Sequence, residues 1–350
     1  MDTVKIKKES KRKIRVDFER APLLERLKAK FLSVFFLKKV VFLIFKLVLL
    51  VGVSFVILFP YISKIFGSFM TAEDFKDVTV ILISKSPTLD QYKYIITENG
   101  YWSAFLNTFL VSLSIALIQT IICSLIGYGL AKFKFRGNSL VFFLVIFTMM
   151  VPQEALRFSM KMHFQLYTTS SPIGSFLATI GVLEEGSGIF NSLSPLYMLA
   201  ITGLGFKNGL YIFLLRQFFK GVPDELEESA YVDGSSTMRT FFTIIIPLAI
   251  PMMITVFIFS FAWEWTDDFY TSILFSDAYW TPGKNHEPLQ FMSSITGVPE
   301  SLKAGVRNLE AYSSAITGTA TILIALPLIL AFLFVQKYIV QGIERSGIVG

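Results

Sequence analysis

Six stretches of the 350-residue chain stay apolar for about the 20 positions that a bilayer-crossing helix needs. They lie near residues 40–59, 105–131, 139–160, 195–215, 241–262 and 315–335. The runs are not equally apolar. The third reaches Pro152 and then Gln153, Glu154 and Arg157, so its outer half must meet protein or water rather than lipid. The fourth holds Gly203, Gly205, Lys207 and Asn208, a set that lipid alone would not tolerate. Pro247, Pro251 and Pro327 interrupt the backbone ladder of the last two, which is acceptable where neighbours or a water-filled path satisfy the freed carbonyls. Helices around a solute pathway would carry these imperfections, and so would a static bundle shaped by prolines. The expected fold is an all-α integral membrane bundle of six helices, with no fixed-period repeat and no low-complexity tract.

Composition agrees with that pattern: 53% of residues are hydrophobic and 17% charged, against about 25% charged in a soluble domain. The net charge of +6 is uneven, because residues 1–39 alone carry 13 Lys or Arg against five acidic residues. Six spans place both termini on one side. The segments on that side, 1–39, 132–138, 216–240 and 336–350, hold 21 Lys or Arg in 86 residues, against nine in 139 for 60–104, 153–194 and 263–314. The basic side is therefore expected to be cytoplasmic. The resulting organisation is a basic arm (1–39), a six-span domain (40–339) with an inner loop at 216–240, and a cytoplasmic tail (340–350). The arm lacks the features of a secretory signal, so the first span should be retained. Leu24, Leu27, Phe31 and Phe35 recur at helical spacing among Lys28, Lys30, Lys38 and Lys39. That pattern fits an interfacial helix and equally a solvated arm.

Little in the chain suits catalysis. Cys123 is the only cysteine, so no internal disulfide can form, and His163 and His286 are too few for a zinc centre. No metalloprotease helix, nucleophile elbow or phosphate-cradling G-x-x-x-x-G-K-[ST] loop occurs. The expectation is a non-catalytic membrane subunit without metal or cofactor, whose partners include the bilayer and no nucleic acid.

The inner loop contains the run ELEESAYVDG, residues 225–234. Pro223 fixes the preceding turn, Asp224 stands at the N-cap position with Glu227 three residues on, and Glu225, Glu227 and Glu228 crowd the positive end of the helix dipole. Gly234 is placed to end the helix. The spacing predicts about ten helical residues, about 15 Å long. Leu226 and Ala230 share one face, and Ser229 and Ala230 are small enough for another surface to approach closely. So short a helix is marginal alone. It is either a docking element held by packing or an ordinary solvated loop helix.

From Glu228 the chain reads E-S-A-Y-V-D-G, then nine residues, then Ile244-Ile245-Ile246-Pro247. This resembles the "EAA" signature of the permease subunits of binding-protein-dependent ABC importers, E-A-A-x-x-x-G followed after nine residues by I-x-L-P. Ser229 replaces the first Ala and Ile246 the Leu. The resemblance extends over roughly residues 60–350 and is closest to the carbohydrate branch. It includes Phe213-Leu214-Leu215-Arg216-Gln217-Phe218-Phe219, Pro247 to Pro251, Ser86-Pro87-Thr88-Leu89 with Tyr92, and Gln336-Lys337-Tyr338 leading to Gly342, Gly347 and Gly350. The long basic arm and an outer loop expanded around GVLEEGSG, residues 181–188, depart from the pattern.

That resemblance implies a type I importer fold in the cell membrane, with Glu225, Leu226, Glu227, Glu228, Ser229, Ala230, Asp233 and Gly234 coupling to an ATPase. It implies partner ABC ATPase subunits that bind ATP and Mg, a second homologous permease in a heterodimer, and an extracytoplasmic binding protein that delivers a sugar or oligosaccharide. Another small polar solute is the alternative within this class. An ion-coupled secondary transporter is the alternative outside it, and it would need coupling carboxylates within the spans, whereas Glu154, Glu264, Asp267 and Asp268 cluster near outer ends. Candidates for the translocation pathway are Lys207, Asn208, Trp263, Glu264, Trp265, Asp268 and Tyr270. Aromatic faces stack on sugar C–H surfaces and carboxylates accept hydroxyl hydrogen bonds. The same residues also suit a membrane interface, a binding-protein contact or helix packing.

Overall fold

The computed structural model describes residues 34–98, 101–166, 175, 179, 193–274 and 309–345. Residues 1–33 of the basic arm, the 181–188 segment, His286, Gly347 and Gly350 lie outside the described residues. The chain divides into two units, Met1–Ile62 and Ser63–Gly350, and every regular element among the described residues is helical.

Helix α1 (Val34–Gly67) extends well beyond the expected apolar run and includes Lys38, Lys39 and Lys46. Val41, Phe42, Leu49 and Val56 are all exposed on its surface, and a helix apolar all round needs lipid or a partner to cover it.

The second unit is built on a long central helix, α3 (Tyr101–Lys132), reached through a segment that ends in α2 (Asp90–Glu98). In that segment Asp74 accepts from Thr71 N–H (3.0 Å), Ser84 Oγ (2.6 Å) and Lys85 N–H (3.2 Å). Burial alone would push its carboxyl up, but these donors outweigh it and hold Asp74 below the ordinary aspartate value.

Two of the six expected spans are broken. The third consists of α4 (Asn138–Met150) and α5 (Gln153–Leu166), bent by 101° from one another. Pro152 causes the break by holding Val151 extended, at φ −73° and ψ 120°. The fourth consists of α6 (Ser194–Thr202) and α7 (Asn208–Lys220). Gly203 stops α6 at φ +72°, with Leu204 N–H bonded back to Leu199 O at 3.1 Å. A Cβ at Gly203 would come within 2.7 Å of Ile126 Cδ1, a side-chain end that can shift, so the left-handed backbone is what requires glycine. Among the described residues, four unbroken helices are long and apolar enough to cross a bilayer: α1, α3, α9 (Thr237–Trp265) and α11 (Leu309–Arg345). The bent α4–α5 pair can make a fifth. Between α9 and α11, α10 (Phe269–Leu274) follows the outer end of α9.

The prolines of the last two spans leave the helices continuous. In α9 a π-helical segment, Phe241–Ile245, directly precedes Pro247. In α11, Pro327 has no N–H to offer the carbonyl four residues back. Tyr101 Oη of α3 donates to that carbonyl, Leu323 O, at 3.3 Å, and Trp265 Nε1 of α9 donates to Ile324 O at 3.0 Å. The carbonyl freed by the proline, Leu323 O, thus becomes an inter-helix attachment, with a second one beside it at Ile324 O. The core lies where α3, α7 and α9 meet, around Cys123, Tyr128, Leu215, Phe219, Phe241 and Met252. A Cβ on Gly127 would stand 3.0 Å from Leu215 Cβ and 3.1 Å from Arg216 N, so that glycine sets how closely α3 and α7 approach.

Candidate functional site: the short acidic helix

After α7 the chain turns through Gly221-Val222-Pro223 into α8, Glu225–Val232. The helix spans eight residues rather than the expected ten. Gly234, at φ +80°, closes it from outside: Gly234 N–H bonds to Tyr231 O at 3.0 Å and Ser235 N–H to Ala230 O at 2.9 Å. This paired arrangement is a Schellman stop, which requires the left-handed residue that glycine supplies without strain. No heavy atom lies within 4 Å of a Cβ built on Gly234, so the requirement is one of backbone alone.

The expected capping box is absent. Asp224 has helical dihedrals (φ −67°, ψ −26°) and its side chain makes no cap hydrogen bond. A stronger partner has taken it: Lys132, the last residue of α3, donates to Asp224 Oδ1 at 2.5 Å and to Val222 O at 2.7 Å. A charge-assisted bond outcompetes a neutral backbone donor, and the Lys132 ammonium holds the Asp224 carboxyl below the usual carboxylate range.

Glu227 also turns inward. It is 7% exposed, with Oε2 accepting from Tyr128 Oη at 3.0 Å and Oε1 lying 3.3 Å from Lys132 Nζ. Tyr128 is itself wedged against the rings of Phe219 and Phe241, with centroids 5.6 and 4.6 Å away. Ala230 is the other buried residue of α8. Glu225, Leu226, Glu228, Ser229, Tyr231 and Val232 remain exposed, as does Asp233 beyond the helix end. Val232 reaches 87% exposure. The sequence reading missed Lys132 and Tyr128. Their signal was the i, i+4 spacing that puts both on one face of α3, just where that helix leaves the membrane.

The pathway candidates separate. Lys207 lies with its ammonium 3.8 Å from the centre of the Trp263 ring, a cation–π contact. Trp263, Glu154 and the exposed Asp268 border a cleft of about 170 Å³. Glu264, by contrast, is buried and accepts from Gln119 Nε2 at 3.2 Å, while Gln119 Oε1 accepts from Ser260 Oγ at 2.5 Å. Trp265 is fully buried against α11, and buried Tyr270 receives Phe206 N–H on its hydroxyl at 3.2 Å. Asn208 is fully buried at the break between α6 and α7, donating to Leu199 O at 3.4 Å, and its Oδ1 has no hydrogen-bond partner.

Comparison with known proteins adds three findings. The family model described as "Binding-protein-dependent transport system inner membrane component" matches residues 123–345. The chain is 25% identical over 303 residues to the arabinooligosaccharides transport system permease protein AraQ of Halalkalibacterium halodurans, covering 85% of this chain and 93% of that protein. It is 28% identical over 302 residues to the maltodextrin transport system permease protein MalD of Streptococcus pneumoniae, covering 85% and 92%. Among solved structures, a chain of a bacterial ABC transporter involved in the import of the acidic polysaccharide alginate superposes with a TM-score of 0.62. That match has 21% identity over 86% of this chain and 97% of the other, and it shows a shared fold.

Proposed function

The chain belongs to the family of inner membrane components of binding-protein-dependent transport systems, and from that premise we propose that it carries a sugar or oligosaccharide across the membrane, with α8 as the docking surface for a partner ATPase. Its fold is the type I importer fold, and it crosses the membrane several times. The observation that carries the docking assignment is the division of α8 into two faces. Glu227 and Ala230 fix the helix to its own chain, while Leu226, Tyr231 and Val232 stand exposed among Glu225 and Glu228. Exposed apolar side chains are expected on the lipid-facing spans; on a polar inner loop such a patch points to a protein partner.

In this reading α8 and both termini face the cytoplasm, and the ATPase subunits bind the ATP and Mg. A second homologous permease completes the pathway, and an extracytoplasmic binding protein delivers the solute. Sugar as cargo is supported by relatives whose names specify arabinooligosaccharides and maltodextrin. Lys207, Trp263 and Asp268, around the cleft, are the pathway candidates best placed to meet it.

Two substitutions test the docking surface. Glu228→Lys reverses its charge, and Gly234→Val forces a β-branched residue to φ +80°, costing about 1–2 kcal/mol. Both variants are expected to insert normally but to lose copurifying ATPase and ATP hydrolysis. Native levels of both for both variants would overturn the assignment. Mass spectrometry of the ligand retained by the delivery protein tests the cargo: a glycan is expected, and any other polar solute would replace the sugar reading.

A further inference from the structure

We infer that Lys132, Glu227, Tyr128 and Asp224 form a charged joint that transmits movement of α8 into the membrane-spanning helix α3; this rests on the reading of α8 as the ATPase-docking element. Lys132, Glu227 and Tyr128 act here as positioning residues, since none lies on the exposed docking face.

Four observations carry the inference. First, α8 is connected to α7 by only three residues before Asp224, and it buries just Glu227 and Ala230, so it has few other attachments to the body. Second, part of the attachment it does have is directional. Lys132 Nζ donates to Val222 O and Asp224 Oδ1 at 2.7 and 2.5 Å, holding the connection, and Tyr128 Oη donates to Glu227 Oε2 at 3.0 Å, holding the helix; Lys132 Nζ adds an ion pair to Glu227 Oε1 at 3.3 Å that is not a hydrogen bond. An apolar contact lets surfaces slide, whereas hydrogen bonds with set directions resist both push and pull. Third, the Lys132–Glu227 pair is largely shielded from water, with side chains 7% and 9% exposed, and shielding strengthens the attraction; Asp224, on the other side of the ammonium, is exposed. Fourth, the load continues into the core. Glu227 Oε2 is held by Tyr128 at 3.0 Å, and Tyr128 is fixed between Phe219 of α7 and Phe241 of the π-helical segment of α9. A displacement of α8 therefore reaches α3 at two positions one turn apart, and α7 and α9 through the aromatic contacts.

The experiment uses the assembled transporter, native except for a fluorophore attached at Trp102→Cys, near the outer end of α3, where Trp102 is 60% exposed. Native Cys123 is fully buried, which restricts labelling to the introduced cysteine. The readout is the emission change on adding ATP, Mg and vanadate, with ATPase copurification measured on the same samples. Glu227→Gln keeps the volume and the acceptor for Tyr128 while removing the charge. It is expected to retain copurifying ATPase and to lose the emission change by about tenfold, within the usual range of coupling between sites. Lys132→Arg, which keeps the cation, should restore most of the native response relative to Lys132→Met. The exchange Lys132→Glu with Glu227→Lys should respond better than either single reversal.

A native-sized emission change in Glu227→Gln and Lys132→Met would overturn the joint, as would an exchange no better than its single reversals. Failure of the underlying reading looks different: the unsubstituted assembly itself would bind no ATPase through α8, and Glu228→Lys would leave copurification intact.

Discussion

Two buried carboxylates, Glu227 on α8 and Glu264 near the C-terminal end of α9, occupy opposite electrostatic settings although each is less than a tenth exposed. Glu227 has a cation at 3.3 Å and a phenol at 3.0 Å. Glu264 has an amide donor at 3.2 Å, and among the described residues no Lys or Arg forms a salt bridge with it. The Glu227 site therefore depends on an opposite charge, and the Glu264 site on a relay of uncharged donors, Ser260 to Gln119 to Glu264. A charged joint suits a loop at the edge of water, where the cation can be hydrated while the chain inserts. A relay of uncharged donors suits the α3–α9 interface, where a further unpaired charge would be costly in the membrane.

The largest effect should come from breaking the charged site on one side only. Lys132→Met leaves Glu227 enclosed without its cation, and one-sided loss of a buried pair costs about 3–5 kcal/mol. Thermal unfolding in detergent should show a large drop. Lys132→Met combined with Glu227→Met, which removes both charges, should recover most of it. If the double variant were as unstable as the single one, the site would be a packing contact whose charges are incidental.

A smaller loss is expected when the relay is cut. Gln119→Leu removes the donor to Glu264 and the acceptor of Ser260 together, leaving buried polar groups unsatisfied at about 1–3 kcal/mol. Glu264→Gln should cost less than this, because an amide oxygen can still accept from Gln119. The same unfolding measurement checks both variants. A drop in Gln119→Leu as large as that in Lys132→Met would erase the distinction between the two carboxylates.

These two sites also mark what the sequence made readable. The Schellman stop at Gly234 was legible because φ > 0 is a local demand that one residue type meets, and the long apolar runs gave four unbroken spans. The inner-loop grammar failed at Asp224 and Glu227. Capping-box spacing considers only local backbone donors, and it has no term for Lys132, which lies 92 residues away from Asp224. Breaks at Pro152 and Gly203 were foreshadowed by the polar residues beside them, but a bend of 101° depends on what the second half packs against. Gln119 and Ser260 stood unremarked inside apolar runs because their partner, Glu264, is fixed only by the packing of α3 on α9. Long-range pairing of polar groups was the least legible feature, and the apolar period carries no information about it.

The smallest effect sharpens the Glu227 site from within, because Asp224 and Glu227 share Lys132 but differ in exposure, with side chains 77% and 9% accessible. An exposed ion pair is screened by salt and a shielded one much less. Raising salt should therefore loosen the Asp224 side of α8 while Glu227 continues to hold. Acid should act on Asp224 in a defined direction. Lys132 depresses its carboxyl in the folded chain, so its contribution is complete above the unfolded-state value and is lost as pH falls through the lower folded one, below about pH 4. Hydrogen exchange at the Glu227 and Glu228 amides, which bond to Asp224 O at 3.0 Å, reports this end of the helix. The amides should lose some protection on acidification in the native chain, and Asp224→Asn should reduce the part of that loss that belongs to Asp224. An identical acid response in Asp224→Asn would leave Asp224 without a share in the joint.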